Sequence, residues 1–280
     1  MNGPQATWLP DGQRLHLHHG PIDMIVGIDG PGRKAAFARA AQRFDTLLDE
    51  LVAELPRLRC AHGPTPNGET ARIMHAATQP FAPRFITPMA AVAGAGAETI
   101  LHAICDGPGI ARAYVNNGGD VAFHLGTGQE MRAALATLPP SHAVIRHADP
   151  VRGIATSGWQ GRSHSLGIAD AVTVLAPGAA MADAAATMIA NATDLPGHPA
   201  IIRQPANDLA PDSDLGRRPV TTHVGRLSGQ DRAKALDTGV AYARSLIAQG
   251  LITAAVLTLQ GGQRILGAPS PIQQKDPEHA

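Results

Sequence analysis

The chain has 280 residues and balanced charge, Lys+Arg 23 against Asp+Glu 23, which excludes the basic excess of a general nucleic-acid or anionic-membrane binder. Aromatics are only 3%, too few for base-stacking platforms, while 44% hydrophobic content is enough for a core without cross-links. Two cysteines, Cys60 and Cys105, form neither a CxxC pair nor a metal-ligand spacing, so a disulfide framework is excluded.

Met1 to Arg14 lack an apolar leader, and no apolar run is expected to reach the ~18–20 residues of a membrane helix, so the expectation is a cytoplasmic protein without a membrane or nucleic-acid partner. Leu15 to Asp29 alternates in short stretches and predicts one or two strands. From Arg33 to Leu55, Phe37, Ala40, Ala41, Phe44, Leu47, Leu48, Leu51, Val52 and Leu55 recur at intervals of three and four, the mark of one apolar helix face that Pro56 ends. Residues 60–80 read as a long loop with a short helix near Ala71–Ala77. Thr87-Pro88 predicts a hydroxyl-capped helix start running to about Ile104, and its first half is almost entirely methyl-sized. A strand through Tyr114-Val115 leads to Asn116-Asn117-Gly118-Gly119-Asp120, and another leads to Gly153-Ile154-Ala155-Thr156-Ser157-Gly158. Ala171–Leu175 predicts a strand, Ala179–Asn191 a helix and 192–220 a loop. Ser228 predicts a cap, with Asp231 as its box partner, for a helix over about Gln230–Gln249, and Ile252–Gln260 reads as a strand. Residues 1–266 are expected as one α+β domain of two closely joined halves, with 267–280 a disordered tail.

Several local patterns bear on chemistry. Gly30-Pro31-Gly32-Arg33-Lys34-Ala35 matches G-x-G-x-x-A formally, but the half-exposed character of the strand before it points to a tight turn rather than a dinucleotide fingerprint. His16 and His18 share a strand face that reads as solvated, with no acidic partner nearby in sequence. Asp183 and Thr187 stand at i and i+4 with only alanines between, so both project from one helix face. Spacing alone describes an alanine-rich core helix with an Asp near its N-terminus, where the dipole favours it; the same two hard oxygens suit Mg²⁺. The Gly118-Gly119 and Thr156-Ser157-Gly158 turns could present backbone N–H groups to a phosphate or a flavin edge, or be ordinary turns.

Taken in order, VNNGGDVA, GIATSGW, GIADAVTVLA and MADAAATMIANA, with TPMAAVAGA and SDLG, make the chain resemble the ApbE-like superfamily, which includes the FAD:protein FMN transferases. The likeness spans roughly residues 15–262 and looks closest to a shorter, soluble branch of uncharacterised proteins. The resemblance implies an ApbE-like α+β fold, with mixed and antiparallel sheets and packed helices, that binds FAD with Mg²⁺ on its diphosphate. It places the metal on Asp183, Thr187 and the carbonyl near Ala93. It places the flavin nucleotide against Asn117, Gly118, Gly119, Thr156, Ser157 and Gly158. Proton handling falls to His164, Asp120 or Asp170, and the partner is an acceptor protein or a redox protein. Two departures stand out: no lysine follows Ala93, and the segment after the ATSG turn is shortened to Ser163-His164-Ser165-Leu166-Gly167. These keep three readings open: FMN transfer, a flavin-linked or iron–sulfur-partnered reductase component acting on a small N-heteroaromatic acid, and a non-catalytic flavin or small-molecule module.

Overall fold

The computed structural model describes residues 3–135, 141–267 and 272–274. In chain order the elements are β1 (Gln5–Trp8), β2 (Arg14–His19), β3 (Ile22–Asp29), α1 (Arg33–Ala53), α2 (Leu55–Leu58), α3 (Glu69–Thr78) and α4 (Val92–Cys105). There follow β4 (Arg112–Asn117), β5 (Asp120–Leu125), β6 (Glu130–Leu135), β7 (Ser141–Arg146), β8 (Gly153–Ser157), β9 (Ala171–Ala176) and α5 (Ala179–Ala192). The last are β10 (Ile201–Pro205), α6 (Ala206–Leu209), β11 (Pro219–Val224), α7 (Gly229–Ala248), β12 (Ala254–Leu259), β13 (Gly262–Gly267) and β14 (Ile272–Gln274).

The chain divides into two compact units. The first holds 1–131, 146–155 and 176–183. Its strands run β1-β2-β3-β4-β5-β8, each neighbouring pair antiparallel. One sheet face carries the buried alternation Leu15, Leu17 and Met24, Val26, Ile28, and α1 and α4 pack in this unit. The predicted apolar stripe of α1 buries Phe37, Ala40, Phe44, Leu47 and Leu51, but Val52 at its end is exposed. Pro56 does not simply end that helix. It sits in the first turn of α2, where a missing N–H costs nothing.

Three other expectations are corrected in this unit, and one strand is new. Thr87 stands in an extended conformation before a 3₁₀ turn over Pro88–Ala91 that opens the helix, and it makes no side-chain cap hydrogen bond to that turn. The stretch Pro88–Cys105 does reach the length and mean hydropathy, 1.2, of a membrane span; half of it is buried within the fold, where α4 packs on α1, β4 and β5. His16 does have an acidic partner: the β2–β3 register sets His18 opposite Asp23, and His16 Nε2 lies 3.1 Å from Asp23 Oδ1. β1 was unforeseen because all four of its residues are exposed, leaving no alternation to read. The Gly30–Gly32 turn is closed by backbone: a Cβ at Gly32 would stand 2.2 Å from the Pro108 carbonyl oxygen. That agrees with a tight turn.

The second unit holds 132–145, 156–175 and 184–280. β9, β12 and β13 pair antiparallel in the order β9-β12-β13. β6, β7 and β14 form a separate sheet in the order β14-β7-β6. The 192–220 segment is not all loop: β10 and β11 pair antiparallel with a bulge at Ile202/Arg203, and α6 lies between them. Five half-exposed residues ending at a proline carry too little periodicity to show in sequence. The tail expectation meets β14, which pairs Ile272 with Ala143, while 268–271 and 275–280 lie outside the described residues. Ser228 caps α7 as expected: its Oγ accepts from Asp231 N at 3.1 Å and donates to Asp231 Oδ2 at 2.6 Å.

Candidate functional site

In the first unit, the chain brings four of the predicted residues together around the starts of α4 and α5. β4 and β5 are joined by the two residues Gly118 (φ +63) and Gly119 (φ +115), a left-handed pair that side chains rarely tolerate. Asn116 Oδ1 accepts the Gly119 N–H at 2.8 Å and fixes the turn. The hairpin register sets Asn117 opposite Asp120. Asn117, nearly buried, donates its Nδ2 to the Ala93 carbonyl at 3.0 Å, which ties the hairpin end to the first turn of α4.

Gly94 is where α4 meets the start of α5. A Cβ there would lie 2.2 Å from the Ala179 carbonyl oxygen, so only glycine allows the approach. That approach lets the Gly94 N–H donate to Asp183 Oδ2 at 3.0 Å. Asp183 keeps some accessible surface as a residue, but its carboxyl group is enclosed. Burial, and then the Asp120 carboxylate, push that carboxyl well above the usual carboxylate range, against the pull of the Gly94 and Ala93 N–H groups. Two carboxylates that oppose one another's ionisation are a place where a cation relieves the repulsion. Among the described residues no three His, Cys, Asp or Glu side chains cluster as a metal centre. A cation here would therefore take much of its shell from carbonyls, hydroxyls and ligand oxygens, the habit of Mg²⁺.

In the second unit, β8 ends at Thr156, whose Oγ1 lies 2.9 Å from Thr173 Oγ1, and at Ser157, which is half-buried. A Cβ at Gly158 would stand 2.2 Å from the Asp170 carbonyl oxygen, so this turn too is held by close backbone approach. Asp170 serves as a tie: Oδ1 accepts from Trp159 Nε1 at 3.2 Å and Oδ2 from Gln260 N at 2.5 Å. His164 is exposed on the loop that follows. Thr187 is half-buried, one helical turn beyond Asp183 in α5.

The structure thus joins Ala93, Asn117, Asp120 and Asp183, and separately joins Thr156 to Thr173 and Gly158 to Asp170. Sequence reasoning missed Glu98. It lies one turn beyond Gly94 on α4, and its Oε1 accepts from the Ala180 N–H at 2.9 Å at the start of α5. Burial raises its carboxyl above the ordinary value, while the Ala180 and Ala179 N–H groups and His102 pull it down. The signal was present: Glu98 is the one charged residue in VAGAGAETILHAIC, four after Gly94.

Antiparallel sheets, packed helices and an Ala-Asp-Ala-Ala-Ala-Thr helix whose Asp meets a small-residue helix define an ApbE-like α+β protein. The family model described as AbpE bacteria matches residues 6–265, and the chain belongs to that family. A UPF0280 protein of Methanopyrus kandleri is 37% identical over 182 residues, 61% of this chain and 70% of the relative. A UPF0280 protein of Methanococcoides burtonii is 40% identical over 123 residues, 40% of this chain and 48% of the relative. Among solved structures, the apo flavinyl transferase ApbE of Pseudomonas stutzeri aligns with a TM-score of 0.52 at 12% identity, covering 96% of both chains. The flavin transferase ApbE of Vibrio cholerae aligns with a TM-score of 0.52 at 12% identity, covering 95% of this chain and 98% of its own. At such identities the likeness is one of fold.

Proposed function

We propose that this chain binds a flavin nucleotide, FAD, with Mg²⁺ held at Asp183 in the manner of ApbE-type proteins. The observation that carries this reading is the Gly94 N–H to Asp183 Oδ2 bond at 3.0 Å, which seats that carboxyl group at the first turn of α4 beside the Ala93 carbonyl that Asn117 holds. The donor set suits a hard divalent cation: a carboxylate, a second carboxylate nearby, and the Ala93 carbonyl, which keeps a lone pair beyond the one given to Asn117. Bound there, Mg²⁺ supplies charge neutralisation for a diphosphate. The Gly118-Gly119 turn carries no side chain, and the position a Cβ would take at Gly119 faces open space, so a ligand can approach the backbone there. By the family resemblance, Asn117, Thr156, Ser157 and Gly158 are further flavin contacts and Thr187 a further metal ligand.

Transfer asks for more than binding. An acceptor hydroxyl attacking the FMN-side phosphorus displaces AMP and must pass its proton to a base. Both oxygens of Asp170 are already engaged, and His164 stands in solvent. Asp120, whose charge raises the Asp183 carboxyl, is the candidate closest to the proposed metal site. This favours, as a second reading, a protein that holds flavin for a redox partner without transferring it to an acceptor protein.

Calorimetric titration of FAD with and without Mg²⁺, followed by nucleotide analysis, tests both. The expected result is Mg²⁺-dependent FAD binding that Asp183→Ala abolishes while the circular dichroism spectrum is kept. Release of AMP marks transfer, and unchanged FAD marks the second reading. A folded protein that binds no flavin nucleotide overturns the proposal.

A further inference from the structure

We propose that Glu98 is a positioning residue, a cap supplied from α4 to α5 that sets the Asp183 carboxylate in place. The first N–H groups of any helix lack intrahelical acceptors, and a side chain at the cap position normally serves them. The residue before α5 is Gly178, which has no side chain to offer. Glu98 fills the gap from the neighbouring helix, with Oε1 accepting the Ala180 N–H at 2.9 Å. Gly178 is what admits it: a Cβ there would lie 2.5 Å from that same Oε1. A carboxylate at a helix N-terminus is also favoured by the helix dipole.

The second link between the helices is the Gly94 N–H to Asp183 Oδ2 bond at 3.0 Å. The two links are Glu98 to Ala180 and Gly94 to Asp183. They lie one turn apart on each helix and run in opposite directions, like two rungs between antiparallel rails. With the Glu98 rung in place, the first turn of α5 has one setting, and the Asp183 rung closes at a fixed position. Without it, the first turn of α5 loses its acceptor and Asp183 drifts from Gly94. The coupling of Glu98 to Asp183 follows from these two bonds alone, and its consequence for ligand binding rests on the function proposed above.

The test compares full-length wild type, Glu98→Ala and Glu98→Gln by residue-resolved amide exchange and by FAD titration with Mg²⁺. In Glu98→Ala the Gly94 amide, as well as Ala179 and Ala180, should exchange about five- to tenfold faster, the size of a lost cap. FAD affinity should fall by a similar factor. Glu98→Gln retains an acceptor oxygen and should restore most of both. If Glu98→Ala fails to fold, Glu98→Asp falls one methylene short and should show the same Gly94 acceleration. If Ala179 and Ala180 accelerate while Gly94 keeps its wild-type rate, Glu98 is a local cap and the proposal is wrong. If wild type binds no FAD, the functional reading falls, and Gly94 exchange still decides the role of Glu98.

Discussion

Replacing Gly94 by alanine probes the α4–α5 contact directly. The new Cβ would stand 2.2 Å from the Ala179 oxygen, 2.5 Å from its carbonyl carbon and 2.8 Å from the Ala180 nitrogen, where ordinary contacts begin at 3.4 Å. All three atoms are backbone, so no side chain can rotate away, and the helices must part by more than an ångström. Overpacking of this kind costs about 1–3 kcal/mol, while alanine in a helix regains ~0.5–1 kcal/mol over glycine. The net expectation is a loss of about 1–2 kcal/mol, or several degrees in melting temperature at roughly 2–4 °C per kcal/mol. Urea denaturation followed by far-ultraviolet circular dichroism reads it. Gly96→Ala is the control: its Cβ would meet the flexible end of Met24 at 3.2 Å, so propensity should offset the contact and leave stability near wild type. A Gly94→Ala protein as stable as wild type, or a Gly96→Ala protein that loses more, would mean that the Ala179 backbone does not restrict position 94.

Ser228→Ala removes the side-chain cap of α7 and should lower stability by about 1 kcal/mol in the same assay; an unchanged midpoint would mean that the Ser228–Asp231 pair contributes nothing net. Glu98→Gln should also change how stability depends on pH. Burial holds the folded Glu98 carboxyl above its ordinary value of 4.5, so folding favours the protonated form. That contribution is fully present below pH 4.5 and is lost as pH rises through the folded value. The stability of Glu98→Gln relative to wild type should therefore grow from pH 4 towards neutrality; parallel curves across that range would show that burial does not control this group.

Long periodic elements and motif order were legible in the sequence. The α1 stripe shows because Phe37, Ala40, Phe44, Leu47 and Leu51 all face the core at helical spacing, and the α7 cap because Ser228 and Asp231 act within one turn. Elements stabilised by their neighbours rather than by their own pattern were not. β1 is exposed along its whole length, and β10 is five residues of partial burial whose partner β11 begins fourteen residues later. His16 lacked its acidic partner on paper because Asp23 arrives only through the hairpin register.

The candidate site divides along the same line. Asp183 and Thr187 could be paired because an i,i+4 spacing with only alanines between is a local pattern, but spacing alone described a core helix and the metal role came with the family resemblance. The run Ala93-Gly94-Ala95-Gly96 could be recognised only as small, and smallness serves both ligand approach and helix packing. The structure assigns Gly94 to packing, through the Ala179 carbonyl, and that packing is what carries its N–H to Asp183. The Ala93 carbonyl is anchored differently, by an asparagine from the end of β4. So the two purposes are not alternatives along this run. Close approach at Gly94 and Gly178 fixes the contact between α4 and α5, whereas Gly118 and Gly119 answer to a left-handed turn, and a Cβ at Gly119 would meet nothing.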